Sequence, residues 1–271
     1  MNVTSATLFG LIFAFISAIS CSAQSSDEKE RDDSASFTKF HVFLLIGQSN
    51  MAGRAPIPAL LDQEIPHSRL WNGKEWEPAK PGLNRYSTYK KDVIQGINPG
   101  LEFIHAYREA FPDVTVGIVC QARGGTSIQK WAEDVPGPMD LYQNAIRMTQ
   151  AALASATKSN ANPVLQGVLW HQGESNSSNH AMYPDKLEGL IVALRRDLTS
   201  PDLPVVYSQL GNWNPKYAEF NQMISKQPKK IIGTACVSSA SAKNLDTEHF
   251  NADGQKVLGR RYAQAIQSLL K

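Results

Sequence analysis

No excess of charge marks this chain: 27 Lys and Arg face 25 Asp and Glu, and no basic stripe runs along it. Binding a phosphate backbone needs clustered cations, so nucleic acid is not an expected partner. Charged residues amount to only 19% against 42% hydrophobic, a globular balance that excludes a disordered or fibrous chain. Cysteine is scarce, with 3 in the whole sequence, which excludes a disulfide-built scaffold. A long apolar run is also missing: the stretch from Leu8 to Ile19 is too short to span a bilayer comfortably. No internal repeat is visible.

That stretch, LFGLIFAFISAI, has the length of a signal-peptide core, and the small residues Ser20-Cys21-Ser22-Ala23 follow it. The expectation is a signal peptide over residues 1–23, cleaved after Ala23, or lipidation at Cys21, because Ala18-Ile19-Ser20-Cys21 resembles a bacterial lipoprotein box. The first ten residues lack the Lys or Arg that a signal peptide normally carries, and a short uncleaved membrane anchor is the alternative. Each reading implies an exported protein: periplasmic, secreted, or held at the outer membrane by a lipid on Cys21. Residues 24–39 (QSSDEKERDDSASFTK) have almost nothing to bury and read as a disordered tether. Residues 40–271 remain, an ordinary length for one α/β domain.

Within that domain, five short β-like runs alternate with helical stretches. They are His41 to Ile46, Val114 to Cys120, Pro163 to Trp170, Pro204 to Gln209 and Lys230 to Val237. Their continuous apolar character suggests strands covered on both faces, as in a parallel sheet. Helical spacing appears from Asn98-Pro99 through Phe111, from Leu141 through Ala152, from Leu187 through Leu198, from Tyr217 through Ile224, and from about Asp253 onward. This alternation predicts a three-layer, flavodoxin-like α/β fold: a five-stranded parallel sheet of order 2-1-3-4-5 with helices on both faces. Residues 54–96 fit less well, with a hairpin expected around Asn72-Gly73 between Leu70-Trp71 and Trp76. That insertion lies at a strand C-terminal end, where it either shapes a substrate cleft or packs as a surface flap. Cys120 and Cys236 fall on the opposite-edge strands of this order, too far apart to bridge, so two unpaired buried thiols are expected.

Four segments that follow strands carry the chemistry: Gly47-Gln48-Ser49-Asn50-Met51-Ala52-Gly53, Ala122-Arg123-Gly124-Gly125-Thr126-Ser127, His171-Gln172-Gly173-Glu174-Ser175-Asn176, and Asp246-Thr247-Glu248-His249. A serine hydroxyl needs a base within hydrogen-bond reach, and His with an orienting carboxylate is the usual one. Ser49 stands on the turn leaving the first strand, and Asp246 and His249 lie three residues apart in a loop. In a 2-1-3-4-5 sheet both turns open onto one edge. The Gly124-Gly125 turn exposes backbone N–H groups and Gln172 offers a side-chain amide, as an oxyanion requires. Arg123 is a candidate contact for a sugar or uronate, or the member of a structural salt bridge. Trp131 and Trp213 could stack on a sugar ring or serve as core and rim. His171, Glu174, Asp246 and His249 form an N/O cluster, but their turn spacing differs from a helical H-E-x-x-H site, so no metal is expected.

The segments GQSNMAG, ARGGTSI, WHQGES and DTEHFNADG resemble the SGNH hydrolases, in the branch of sialate O-acetylesterases and family-six acetyl xylan esterases. The resemblance spans residues 41 to about 262. It implies Ser49 as nucleophile with Asp246 and His249 completing a triad. It also implies an oxyanion hole from the N–H of Ser49, an N–H of Gly124 or Gly125, and Gln172. Glu174 competes with Asp246 as the acidic partner. The implied activity is removal of O-acetyl groups from glycans through an acyl-enzyme on Ser49, with no cofactor. A catalytically silent carbohydrate-binding protein, or an esterase for another acyl group, are the alternatives.

Overall fold

Successive apolar residues at the start of the domain require cover on both sides. In the computed structural model, which describes residues 39–87, 96–135 and 140–271, they have it. The expected signal peptide with Cys21, and the tether up to residue 38, lie outside the described residues. Seven strands form one sheet: β1 (Phe40–Gly47), β2 (Ser68–Trp71), β3 (Trp76–Pro78), β4 (Thr115–Ala122), β5 (Pro163–His171), β6 (Val205–Ser208) and β7 (Thr234–Val237). The helices are the short α1 (Ser49–Ala52), then α2 (Gly100–Ala110), α3 (Leu141–Lys158), α4 (Tyr183–Asp197), α5 (Ala218–Ile224) and α6 (Ala252–Leu269).

Alternate residues of β1 serve different cores. Val42, Leu44 and Ile46 pack with Ala145 of α3, Ile191 of α4 and Phe220 of α5. Phe43 and Leu45 pack with Phe103 and Tyr107 of α2 and Leu258 and Tyr262 of α6. The result is three layers, with α3, α4 and α5 on one face and α2 and α6 on the other.

The sheet order is β3-β2-β4-β1-β5-β6-β7. Its central run, β4-β1-β5-β6-β7, is parallel throughout and reproduces the expected 2-1-3-4-5 order. The expected strand count of five is corrected to seven, and the sheet is mixed. The hairpin around Asn72-Gly73 does form, with Trp71 opposite Trp76, but it joins the main sheet. Its strand β2 pairs parallel with β4, Ser68 facing Val116 and Leu70 facing Ile118. An unprotected β4 edge would leave a row of backbone groups unpaired, and the hairpin satisfies them. The expected fifth strand also shortens. It starts at Thr234 instead of Lys230, because residues Gln227–Lys229 first make a turn that buries Ile231.

Cys120 and Cys236 are free, on β4 and β7. Cys120 is buried as expected, whereas Cys236 is only half-buried and β4 is no longer an edge.

Candidate active site

The Ser49 turn begins where β1 meets the end of β5. Gly47 has φ +141°, and a Cβ there would lie 2.1 Å from the His171 carbonyl oxygen, so only glycine allows this approach. The Gln48 N–H donates to that carbonyl at 2.8 Å. The Gln48 carbonyl accepts from the N–H groups of Met51 (3.0 Å) and Ala52 (2.8 Å), which winds α1 and raises Ser49 at its start.

His249 comes from the loop between β7 and α6. Asp246 Oδ1 accepts the N–H groups of Glu248 at 2.8 Å and His249 at 2.7 Å, so the carboxylate itself folds the loop. Its Oδ2 lies 2.8 Å from His249 Nδ1, and His249 Nε2 lies 3.0 Å from Ser49 Oγ. A carboxylate at Nδ1 places the proton there and leaves the Nε2 lone pair for the serine hydroxyl. Burial pushes the Asp246 carboxyl up, but hydrogen bonds from the His249 ring and the two N–H groups outweigh it, and its pKa is lowered. Asp246 is thus held as the anion.

The structure therefore brings Ser49, His249 and Asp246 into one hydrogen-bonded row. Glu174 stands elsewhere. Its side chain is 3% exposed, and its Oε1 accepts from Asn50 Nδ2 at 2.5 Å. Burial pushes its pKa up to about 7. His171, fully buried with Nε2 3.7 Å from Glu174 Oε1, is driven down to about 3 by burial and stays neutral. The carboxylate on the imidazole is Asp246.

Asn50 is a residue that sequence reasoning left without a role. Besides meeting Glu174, its Nδ2 donates to the Glu248 carbonyl at 3.0 Å, and its Oδ1 accepts from the Phe250 N–H at 3.1 Å. These groups flank His249 on both sides. Asn50 therefore clamps the His249 loop to the Ser49 turn. Its place beside Ser49 was the available signal, but the reach of 200 residues to Phe250 is set by tertiary structure.

The groups expected to line an oxyanion hole differ in what they already bind. Among the described residues, no group accepts from the backbone N–H of Ser49, Gly124 or Gly125. A Cβ on Gly124 would lie 3.5 Å from Ser49 Cβ, so this turn abuts Ser49. Gln172 differs. Its Nε2 already faces Asn176 Oδ1 (2.8 Å), Thr126 O (3.0 Å) and Gln48 Oε1 (3.1 Å). Two N–H bonds confronted by three protein acceptors leave no free donor, so here Gln172 ties three strand-end turns together.

The remaining candidates separate as follows. Trp131 is buried in the core with its Nε1 donating to Thr126 Oγ1 at 3.2 Å. Trp213 lies half-buried against Phe250, ring centroids 4.7 Å apart, and donates to the Thr247 carbonyl at 3.2 Å, so it props the His249 loop. Arg123 is half-buried, and its backbone N–H donates to the Gly47 carbonyl at 3.0 Å. Arg54, unassigned in sequence, has its guanidinium Nη2 2.4 Å from where a Cβ on Gly124 would lie.

The described geometry can be set beside known proteins. The family model for carbohydrate esterase, sialic acid-specific acetylesterase, matches residues 39–268. A "probable carbohydrate esterase" of Arabidopsis thaliana is 28% identical over 254 residues, covering 84% of this chain and 90% of that protein. Its X-ray structure superposes with a TM-score of 0.72 at 25% identity, covering 84% of this chain and 98% of that one. The crystal structure of NanS gives a TM-score of 0.66 at 17% identity, covering 86% and 98%. That of a carbohydrate acetylesterase from Xanthomonas citri gives 0.60 at 19%, covering 84% and 56%. The latter two likenesses are of fold alone.

Proposed function

Because the chain belongs to the carbohydrate esterase family of sialic acid-specific acetylesterases, we propose that it removes O-acetyl groups from glycans by a serine mechanism. The observation that carries this reading is the row Ser49 Oγ to His249 Nε2 at 3.0 Å and His249 Nδ1 to Asp246 Oδ2 at 2.8 Å.

Ser49 Oγ attacks the acetyl carbonyl while His249 Nε2 takes its proton, and Asp246 stabilises the imidazolium that forms. The negative charge on the carbonyl oxygen is received by the vacant N–H groups of Ser49 and the Gly124-Gly125 turn. Collapse of the tetrahedral intermediate breaks the ester C–O bond, and His249 returns the proton to the sugar alkoxide. A water deprotonated by the same imidazole then attacks the acyl-enzyme and releases acetate, restoring the Ser49 hydroxyl. The family and the triad geometry support an ester hydrolase acting on acetylated carbohydrate. The leader-like run before Ala23 and the lipobox-like Cys21 support action outside the cytoplasm.

The test is acetate release from acetylated xylan and from O-acetylated sialic acid, with Ser49→Ala in parallel. Release by the wild type and a loss of at least ~10³-fold in the variant are expected. The rate should also show an acid limb, as a general-base mechanism requires. Equal release by Ser49→Ala, or a profile without an acid limb, would sink the serine mechanism. Stable glycan binding without acetate release would mark a binding protein instead.

A further inference from the structure

A buried carboxyl that the mechanism above does not use lies against Asn50, the neighbour of Ser49. β5 ends at His171, and the chain turns sharply at Gly173, where a Cβ would lie 2.3 Å from Phe220 Cζ. The Gly173 carbonyl accepts from the Asn176 N–H at 2.8 Å, and the Glu174 carbonyl from Ser177 Oγ at 3.1 Å. The turn held in this way points the Glu174 side chain inward, where it is 3% exposed.

An asparagine amide has two N–H donors on one side and an oxygen on the other, so reversing it exchanges donor for acceptor. Asn50 Nδ2 donates to Glu174 Oε1 at 2.5 Å and to the Glu248 carbonyl at 3.0 Å, while Oδ1 accepts from the Phe250 N–H at 3.1 Å. An ionised carboxylate can only accept. Glu174 therefore dictates which way the amide stands, and that way is the one that holds the backbone before and after His249.

A buried carboxyl is costly unless hydrogen bonds or an opposite charge compensate it. Burial pushes the Glu174 pKa up to about 7, against hydrogen bonds from its own N–H and Asn50 and attraction to His249, while Glu248 adds to the rise. Glu248 itself pairs with Lys216 at 3.2 Å. The other titratable groups that act on Glu174 are neutral. His171 is driven down to about 3 by burial, and the phenols of Tyr183, Tyr217 and Tyr262 are raised by it. Among the described residues, the positive charge set against Glu174 is thus the imidazolium that forms on His249 as Ser49 attacks. Screening of such an attraction is weak inside a protein.

We propose that Glu174 is a positioning residue for this reaction: its carboxylate orients the Asn50 amide that holds the His249 loop against Ser49, and its charge favours the imidazolium. The inference rests on the esterase reading above and adds to it a second carboxylate, which acts on the base through Asn50 and through space. Asp246 remains the partner of Nδ1.

The experiment measures acetate release from acetylated xylan and from a chromogenic aryl acetate across pH, for wild type, Glu174→Gln, Glu174→Ala and Asp246→Asn. Glu174→Gln keeps an acceptor for Asn50 and loses the charge, so kcat should fall about 10-fold with little change in KM. Glu174→Ala loses both contributions, and kcat should fall by ~10²-fold or more. Because Glu174 takes up its proton near pH 7, the acid limb of the wild type should be steeper than that of Glu174→Gln. Equal slopes, or an unchanged kcat in Glu174→Gln, would overturn the proposal. A loss in Glu174→Gln as large as that in Asp246→Asn would overturn it too, making Glu174 a direct partner of the base. The His249 ring signals in NMR should be sharp in the wild type and broadened or shifted in both Glu174 variants, with the Trp131 indole signal of the core unchanged. Identical His249 signals in all three would also count against the positioning role. A wild type that hydrolyses no ester, the aryl acetate included, but whose His249 signals respond to Glu174→Gln, would overturn the esterase reading and leave the positioning role standing.

Discussion

Asn50 touches neither Ser49 Oγ nor His249 Nε2, yet it bonds the backbone on both sides of His249. Its amide grips the Glu248 carbonyl and the Phe250 N–H, and its own backbone carbonyl accepts from Gln255 Nε2 at 3.3 Å. Asn50→Ala should therefore release the His249 loop and lower kcat by about 10²-fold with a smaller change in KM, the size of loss that displaced catalytic groups cause. An unchanged kcat would show that Asp246 and Trp213 hold the loop unaided. Glu174 supports the same amide from below. Its pKa of about 7 lies above the ordinary 4.5, so the native chain keeps a proton that the unfolded chain releases in this window. Stability from this group accordingly falls as pH rises from about 4.5 to about 7. Glu174→Gln keeps an acceptor for Asn50 and removes the titration. Its melting temperature relative to wild type should rise across that window, and a flat difference would contradict the burial argument.

At the scale of elements, the hairpin β2–β3 is the part that local pattern described least completely. Leu70 is buried in the cluster formed by α2 and α6, and Trp76 Nε1 donates to the Ala152 carbonyl of α3 at 3.0 Å. The hairpin thus reaches both helical layers and is a component of the core rather than a flap. Leu70→Ala should cost about 2–5 kcal/mol in denaturant unfolding, as for other buried leucines. A cost of a few tenths would restore the flap reading. The hairpin turn itself was legible: Asn72 Oδ1 accepts the N–H groups of Lys74 and Glu75, both at 2.9 Å, and Gly73 adopts φ +99°. Its pairing with β4 was not, because short strands with no distinctive periodicity do not identify a partner more than forty residues away.

At the scale of the whole molecule, strand order governs which distant residues meet. Cys120 and Cys236 lie on β4 and β7, with β1, β5 and β6 between them. Burial pushes the Cys236 thiol up to about 12 and raises Cys120 as well, so neither is a ready thiolate. Without reductant, a thiol reagent should label both residues in urea and neither rapidly in the native protein. A urea-resistant pair would contradict the sheet order. The sequence by itself determined the five central strands and their order, and it singled out Ser49, Asp246 and His249, which the fold sets in one hydrogen-bonded row. Covered strands leave continuous apolar runs, and reactive residues at strand ends leave short local motifs, both of which can be read from neighbouring positions. Tertiary structure alone decided three matters: that Asp246 rather than Glu174 meets the imidazole, that Gln172 spends its donors on neighbouring turns, and that Asn50 clamps the His249 loop. Each depends on which acceptor lies within about 3 Å, a separation set by packing between segments far apart in the chain.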